Sequence, residues 1–247
     1  MPVDLNGNIL DSTSITTATF NNSIVTDGLL VYLDAGDKDS YAGSGTAWND
    51  LNGNNRNSIV RGTPTFGTNF GGYLETGPNQ TTNYIELPES APQNLTNGFI
   101  YTIDWWCTMK DTSAGRFQQS MVASNGANLF IVGKEASSFN IWNTSLVSGT
   151  APTYTVDVPN HLVVTSNGTN QYFYKNGNLT SIWSAPFADL KTTTGWIIDQ
   201  EQDASKGGFD ANQNTNAWWH TVRLYNKRLN SAEILANYYG QKSRFGL

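Results

Sequence analysis

Oxygen-bearing side chains gather late in this 247-residue chain, where Glu201, Gln202 and Asp203 are followed closely by Asp210 and Gln213. A hard cation such as calcium takes about six to eight oxygen ligands, and this short stretch supplies several. The alternative is a metal-free loop held by hydrogen bonds from backbone donors to its own Asp and Gln side chains. Tryptophan is the second chemically suggestive type, with eight in the chain. An exposed indole face holds a sugar ring through apolar and polarised C–H contacts. Trp105 and Trp106 are sequence neighbours, so on one strand they cannot both face inward. Trp106 and the pair Trp218 and Trp219 are therefore candidate platforms, with packing under another segment or subunit as the alternative. Neither His161 nor His220 lies in a metalloprotease or triad motif, and structural roles are expected for both. The single cysteine, Cys107, sits in an apolar run and reads as a buried thiol with no disulfide within the chain.

Strands must position these groups. Leu29–Leu33 is an apolar run bounded by Gly28 and Gly36, which marks a buried strand. From Phe99 to Met109 the residues alternate. Phe99, Tyr101, Ile103, Trp105, Cys107 and Met109 share one face, and Thr102, Asp104, Thr108 and Lys110 share the other, so a strand with one buried face is expected. Further strands are expected around Leu129–Val132, Phe139–Trp142, Leu162–Val164 and Tyr172–Tyr174. Asn176-Gly177 supplies the positive φ values of a type I′ hairpin. Asp37 to Gly62 reads as a series of loops anchored by Trp48 and Leu51. One helix is expected, from about Ser231 to Tyr238, with Asn230 and Glu233 as a capping box and Gly240 closing its end.

Residues 1–26 are polar, with scattered apolar positions at Ile15, Phe20, Ile24 and Val25, and read as an N-terminal arm. Residues 27–247 carry no linker or repeat and read as one domain. Charged residues are 14% and aromatics 12%, which suits an all-β chain. A net charge of -6 argues against nucleic acid as a partner. Met1 to Leu10 lacks a signal-peptide pattern, and no apolar run approaches the ~18 residues of a membrane span, so neither export nor membrane insertion is expected.

Three segments carry a resemblance. They are Asp27-Gly-Leu-Leu-Val-Tyr-Leu-Asp-Ala-Gly36 with the stretch Tyr41 to Asn54; His161-Leu-Val-Val-Thr165 leading to Tyr172-Phe-Tyr-Lys-Asn-Gly177; and Ile198-Asp-Gln-Glu-Gln-Asp203, continuing through Asp210 to Val222-Arg-Leu-Tyr225 and Ile234. In this order they resemble the concanavalin A-like superfamily, its laminin-G-like and pentraxin branch, and in particular such domains in tailed-phage structural proteins. The resemblance implies a two-sheet antiparallel β-sandwich, a concanavalin A-like jelly roll, with one short C-terminal helix. The late loop is similar to the pentraxin calcium loop, which implies side-chain ligands at Glu201, Asp203, Asp210 and Gln213 and a carbonyl from Gln202. The stretch between Gly208 and Asp210 is shorter than that pattern, and the Asp-Asn pair from an earlier loop is not found.

Glycoside hydrolases of the superfamily carry a Glu-x-Asp-x-x-Glu strand motif, because the reaction needs paired carboxylates. Here Glu201-Gln-Asp203 continues to Lys206, and Asp104 has no Glu at the neighbouring alternate positions, so no enzyme is expected. The expected function is that of a virion structural or decoration protein, made in the host cytoplasm and docked in several copies on other virion proteins of capsid, neck or tail. Contact with host-surface polysaccharide fits that setting. The alternative is a lectin-like adhesion module, with or without calcium.

Overall fold

The structure, a computed structural model, describes residues 23–78, 80–111, 118–126, 128–135, 137–143, 152–184 and 188–247. In chain order its strands are β1 (Leu29–Asp34), β2 (Ala47–Trp48), β3 (Ser58–Arg61), β4 (Thr65–Gly67), β5 (Tyr73–Glu75), β6 (Tyr84–Glu86), β7 (Ile100–Met109), β8 (Gln118–Ser124), β9 (Asn128–Glu135), β10 (Ser138–Asn143), β11 (Pro159–Asn167), β12 (Asn170–Lys175), β13 (Asn178–Ser184), β14 (Gly195–Ile198) and β15 (Ala217–Tyr225). Helix α1 is Ser90–Gln93 and helix α2 is Ser231–Gln241, followed by a 3-10 turn over Lys242–Phe245. The strands form two antiparallel sheets, the sandwich expected. The first runs β13-β12-β11-β7-β15-β5-β4, and β1 shares an edge of β15 with β5; the second runs β10-β9-β8-β14-β6-β3-β2. No described helix is long and apolar enough to cross a membrane.

Alternation makes the core. On β7, Tyr101, Ile103, Trp105, Cys107 and Met109 point between the sheets and are buried. They meet Met121, Phe130, Val132, Ile141, Trp196 and Ile198 of the second sheet in one apolar cluster. Trp48 anchors the loop series after β1 as expected, fully buried, whereas Leu51 is only half-buried. That stretch also contains β2 and β3, too short to stand out as periodic segments. Asn176 and Gly177 both have positive φ, 50° and 78°, and turn β12 into β13.

The outer face of β7 corrects the expectation of a half-solvated strand. Thr102, Asp104, Trp106 and Thr108 are all fully buried. Helix α2 and the turn after it lie across this face, with Leu229 and Ile234 packing on Val163, Tyr174 and Tyr225. A polar network fastens them: Asp104 accepts from Arg223 at 2.8 Å, His161 at 3.1 Å and Asn237 at 2.8 Å. Burial alone would push the Asp104 carboxyl up, but Arg223 and His161 hold it below the usual carboxylate range. Arg223 also donates to Gln241, and Arg244 bonds both oxygens of Asp34 at 2.7 Å.

The capping box forms as expected, with Asn230 accepting from Glu233 N and Glu233 accepting from Asn230 N. The helix continues past the expected stop at Gly240. It is Gly246, at φ 71°, that ends the following turn. Of the arm, residues 1–22 lie outside the described residues; Val25 N donates to Asn237 at 2.8 Å, tying the chain's entry to α2.

Candidate functional site

The outer face of the second sheet differs from that of the first. Directly paired positions run across it in a row: Ile59, Glu86, Ile197, Val122, Ile131 and Trp142. Their sequence neighbours Val60, Ile85, Trp196, Met121, Phe130 and Ile141 all enter the core, so period-2 geometry turns this row outward. Val122, Ile131 and Ile197 make an apolar floor, on which Tyr84, Trp142 and Phe209 pack. All three aromatic residues are half-buried. Tyr84 and Phe209 meet edge to face with centroids 4.9 Å apart. Charged groups rim the patch. Arg61 bonds Glu86 at 2.7 Å, and Lys206 pairs with Glu89. Burial raises the Tyr84 hydroxyl's pKa, so it keeps its proton as a donor.

Phe209 reaches the patch because the loop after β14 folds back over the sheet. Asp199 begins it at φ 71°, and Gln202 holds it down by donating to Val122 O at 3.0 Å and Gly195 O at 3.2 Å. Gly195 is needed there, since a Cβ would lie 2.5 Å from Gln202 Oε1. The same oxygen accepts from Lys206 N at 2.7 Å, and Ala204 and Gly207 exchange two backbone bonds at 3.0 Å. Glu201, buried, accepts from Asp210 N at 2.8 Å, and Asp210 accepts from Gln213 at 3.1 Å. Burial, then the charges of Asp203 and Asp210, raise the Glu201 pKa to about 7. Asp199 is fully buried, which holds its carboxyl well above the usual range despite the nearby Trp219 and Thr215 N–H groups.

The structure thus brings Glu201, Asp203, Asp210 and Gln213 into one loop and turns the Gln202 side chain into the sheet. One oxygen of Glu201 and one of Asp210 accept from the loop's own donors, and among the described residues no three His, Cys, Asp or Glu side chains are grouped to hold a metal.

Of the expected tryptophan platforms, Trp106 and Trp219 are corrected. Trp106 is fully buried, stacked on Phe245 at 4.0 Å and near-parallel to Tyr238 at 5.8 Å. Trp219 points into the core and is fully buried. Trp218 is half-buried, with a ring stacked on Tyr73 at 4.1 Å and Lys110 Nζ 3.7 Å from its ring centroid. His220 donates through Nδ1 to Gly72 O at 2.9 Å and pairs with Thr108 at 3.0 Å; burial lowers its pKa to about 3, so it is neutral. Trp142, Tyr84 and Phe209 were not singled out as site residues. For Trp142 the signal was present: in Phe139–Trp142, if Phe139 and Ile141 face the core, Trp142 must face away.

A sandwich with one face sealed by its C-terminal helix and the other carrying aromatic groups defines a lectin-like jelly roll. The family model for the concanavalin A-like lectin/glucanases superfamily matches residues 79–235, and the chain belongs to that superfamily. No curated protein matches it. Among solved structures, a Trypanosoma rangeli sialidase in complex with sialic acid is similar at TM-score 0.60 and 14% identity, over 88% of this chain and 33% of that one. The binding domain of paraclostridial mosquitocidal protein 1 is similar at TM-score 0.63 and 17% identity, over 86% and 52%. The binding domain of botulinum neurotoxin DC in complex with SialylT is similar at 0.61 and 15%, over 86% and 51%. The chain therefore spans a third to a half of these neighbours, and at such identities the likeness is one of fold. It corrects the expectation that no enzyme is present: a sialidase is an enzyme and carries this fold, which binding domains share. The missing hydrolase motif thus does not exclude catalysis.

Proposed function

We propose that the chain binds carbohydrate on the outer face of its second sheet. The observation that carries this is the set of three half-buried aromatic residues, Tyr84, Trp142 and Phe209, on an apolar floor rimmed by Arg61, Glu86 and Lys206. A sugar ring offers an apolar C–H face to aromatic carbon and hydroxyls to charged partners at the rim, and this patch supplies both. Support also comes from neighbours of the same fold whose structures are complexes with sialic acid and SialylT.

The setting we propose is the surface of a tailed-phage particle, with other virion proteins as partners and host-surface polysaccharide as ligand. The resemblance of the opening segment Asp27–Asn54 and of the later segments to phage laminin-G-like domains supports it. Many copies on one particle turn weak single sites into strong attachment through multivalency.

A glycan array comparing the wild-type chain with Trp142→Ala tests the binding. At least one glycan is expected to bind the wild type and to lose about tenfold or more in affinity in the variant. No binding to any glycan, or equal binding by both proteins, rejects the reading. Antibody labelling of purified particles tests the setting separately, and unlabelled particles remove the virion role.

A further inference from the structure

We propose a second ligand site at the sandwich edge, a cavity of about 290 Å³ that takes one uncharged sugar unit. It lies beside β2 and β4, the edge strands of the two sheets. Its carbon side is lined by the almost fully buried Tyr41 and Val60 and the half-buried Phe66, the two rings tilted at 48° with centroids 5.5 Å apart. Two turns, Gly43–Thr46 and Gly62–Pro64, complete the lining.

Both turns are held in place without a ligand. Tyr41 Oη donates to Gly45 O at 3.1 Å, Val60 N to Thr46 O at 2.8 Å, and Thr63 N to Asn83 Oδ1 at 2.9 Å. Gly43 and Gly45 both sit at φ 90°, a conformation that favours glycine and leaves the main chain bare toward the cavity. Preformed walls lower the ordering cost of binding.

The lining decides the ligand class. Among the described residues it contains no Asp, Glu, Lys, Arg or His, so a charged ligand would enter without a partner. Its lining combines aromatic and aliphatic residues with three that carry hydroxyls, Ser44, Thr46 and Thr63. A pyranose has the matching division into a C–H face and a ring of hydroxyls. The volume lies just below the about 300–1,000 Å³ usual for ligand pockets, room for one ring rather than a chain. Naming the ligand a sugar rests on the carbohydrate reading above; the exclusion of charge rests on this cavity alone.

Nitrogen-15 NMR titration with galactose, glucose and N-acetylglucosamine, and with glucuronic and N-acetylneuraminic acids as charged counterparts, tests the site. At least one neutral sugar is expected to shift the amide signals of Gly43, Gly45 and Gly62, in preference to the charged ones. Thr63→Trp, which puts an indole at the mouth, is expected to lower that affinity about tenfold or more. It should also keep the binding of longer glycans that Trp142→Ala loses. No response of these glycines to any neutral sugar, a preference for the acids, or unchanged monosaccharide binding in Thr63→Trp overturns the proposal. Loss of long-glycan binding in Trp142→Ala then still supports the sheet-face reading, so the two fail separately. If Thr63→Trp does not fold by circular dichroism, the glycine shifts of the wild type decide.

Discussion

Glu201 shows what a single buried acid does in a loop of acids. Its pKa rises from an ordinary 4.5 to about 7, so between those values the folded chain holds a proton that the unfolded chain releases. Its contribution to stability is therefore lost progressively as pH rises from about 4.5 to about 7, and the loss is complete above that window. Thermal unfolding followed through this range should show the decline in the wild type and a flatter profile in Glu201→Gln; parallel profiles reject the assignment. Calcium separates the two accounts of the loop. Since the loop's carboxylates serve its own donors, millimolar calcium should leave Tm unmoved, and a rise abolished by Glu201→Gln would show that the loop opens to take a cation.

Helix α2 is an element whose end is written locally and whose place is set from afar. The Asn230 cap satisfies two backbone donors, so Asn230→Ala should cost about 1 kcal/mol in denaturant unfolding. Its seat on the first sheet depends on Asp104, fully buried on β7 and bonded to Arg223, His161 and Asn237. Asp104→Asn leaves Arg223 charged and buried beside a neutral group, and the expected loss is about 3–5 kcal/mol. A loss no larger than that of Asn230→Ala would mean the network adds little to holding the helix.

For the molecule as a whole, the last residues close one side of the sandwich. Phe245 stacks on Trp106 at 4.0 Å and Arg244 bonds Asp34, so truncation after Ser243 uncovers an indole and takes from the Asp34 carboxylate its cationic partner. Removing the phenyl ring alone should cost about 3–5 kcal/mol. A truncated chain with unchanged Tm would show that the first sheet does not need this cover. With that face of the first sheet covered, the second sheet's outer face is the one that carries half-buried aromatic residues among the described residues.

Local chemistry was legible in the residues themselves. Alternation marked β7 and its core face, Asn176-Gly177 marked the hairpin, and Asn230 with Glu233 marked the start of α2, because each depends on neighbours a few positions away. The short strands β2 and β3 were not legible, being held by pairing rather than by pattern. The sequence also assigned Trp106 to the face of β7 away from the core, and there its reach ended. Whether an outward face meets solvent depends on what else lies over it, and the cover of Trp106 comes from Tyr238 and Phe245, more than a hundred residues downstream. Trp142 faces outward on the other sheet by the same period-2 rule and stays half-buried. Pattern decides which side of a strand a residue takes; only the packing of distant segments decides which side remains open to a ligand.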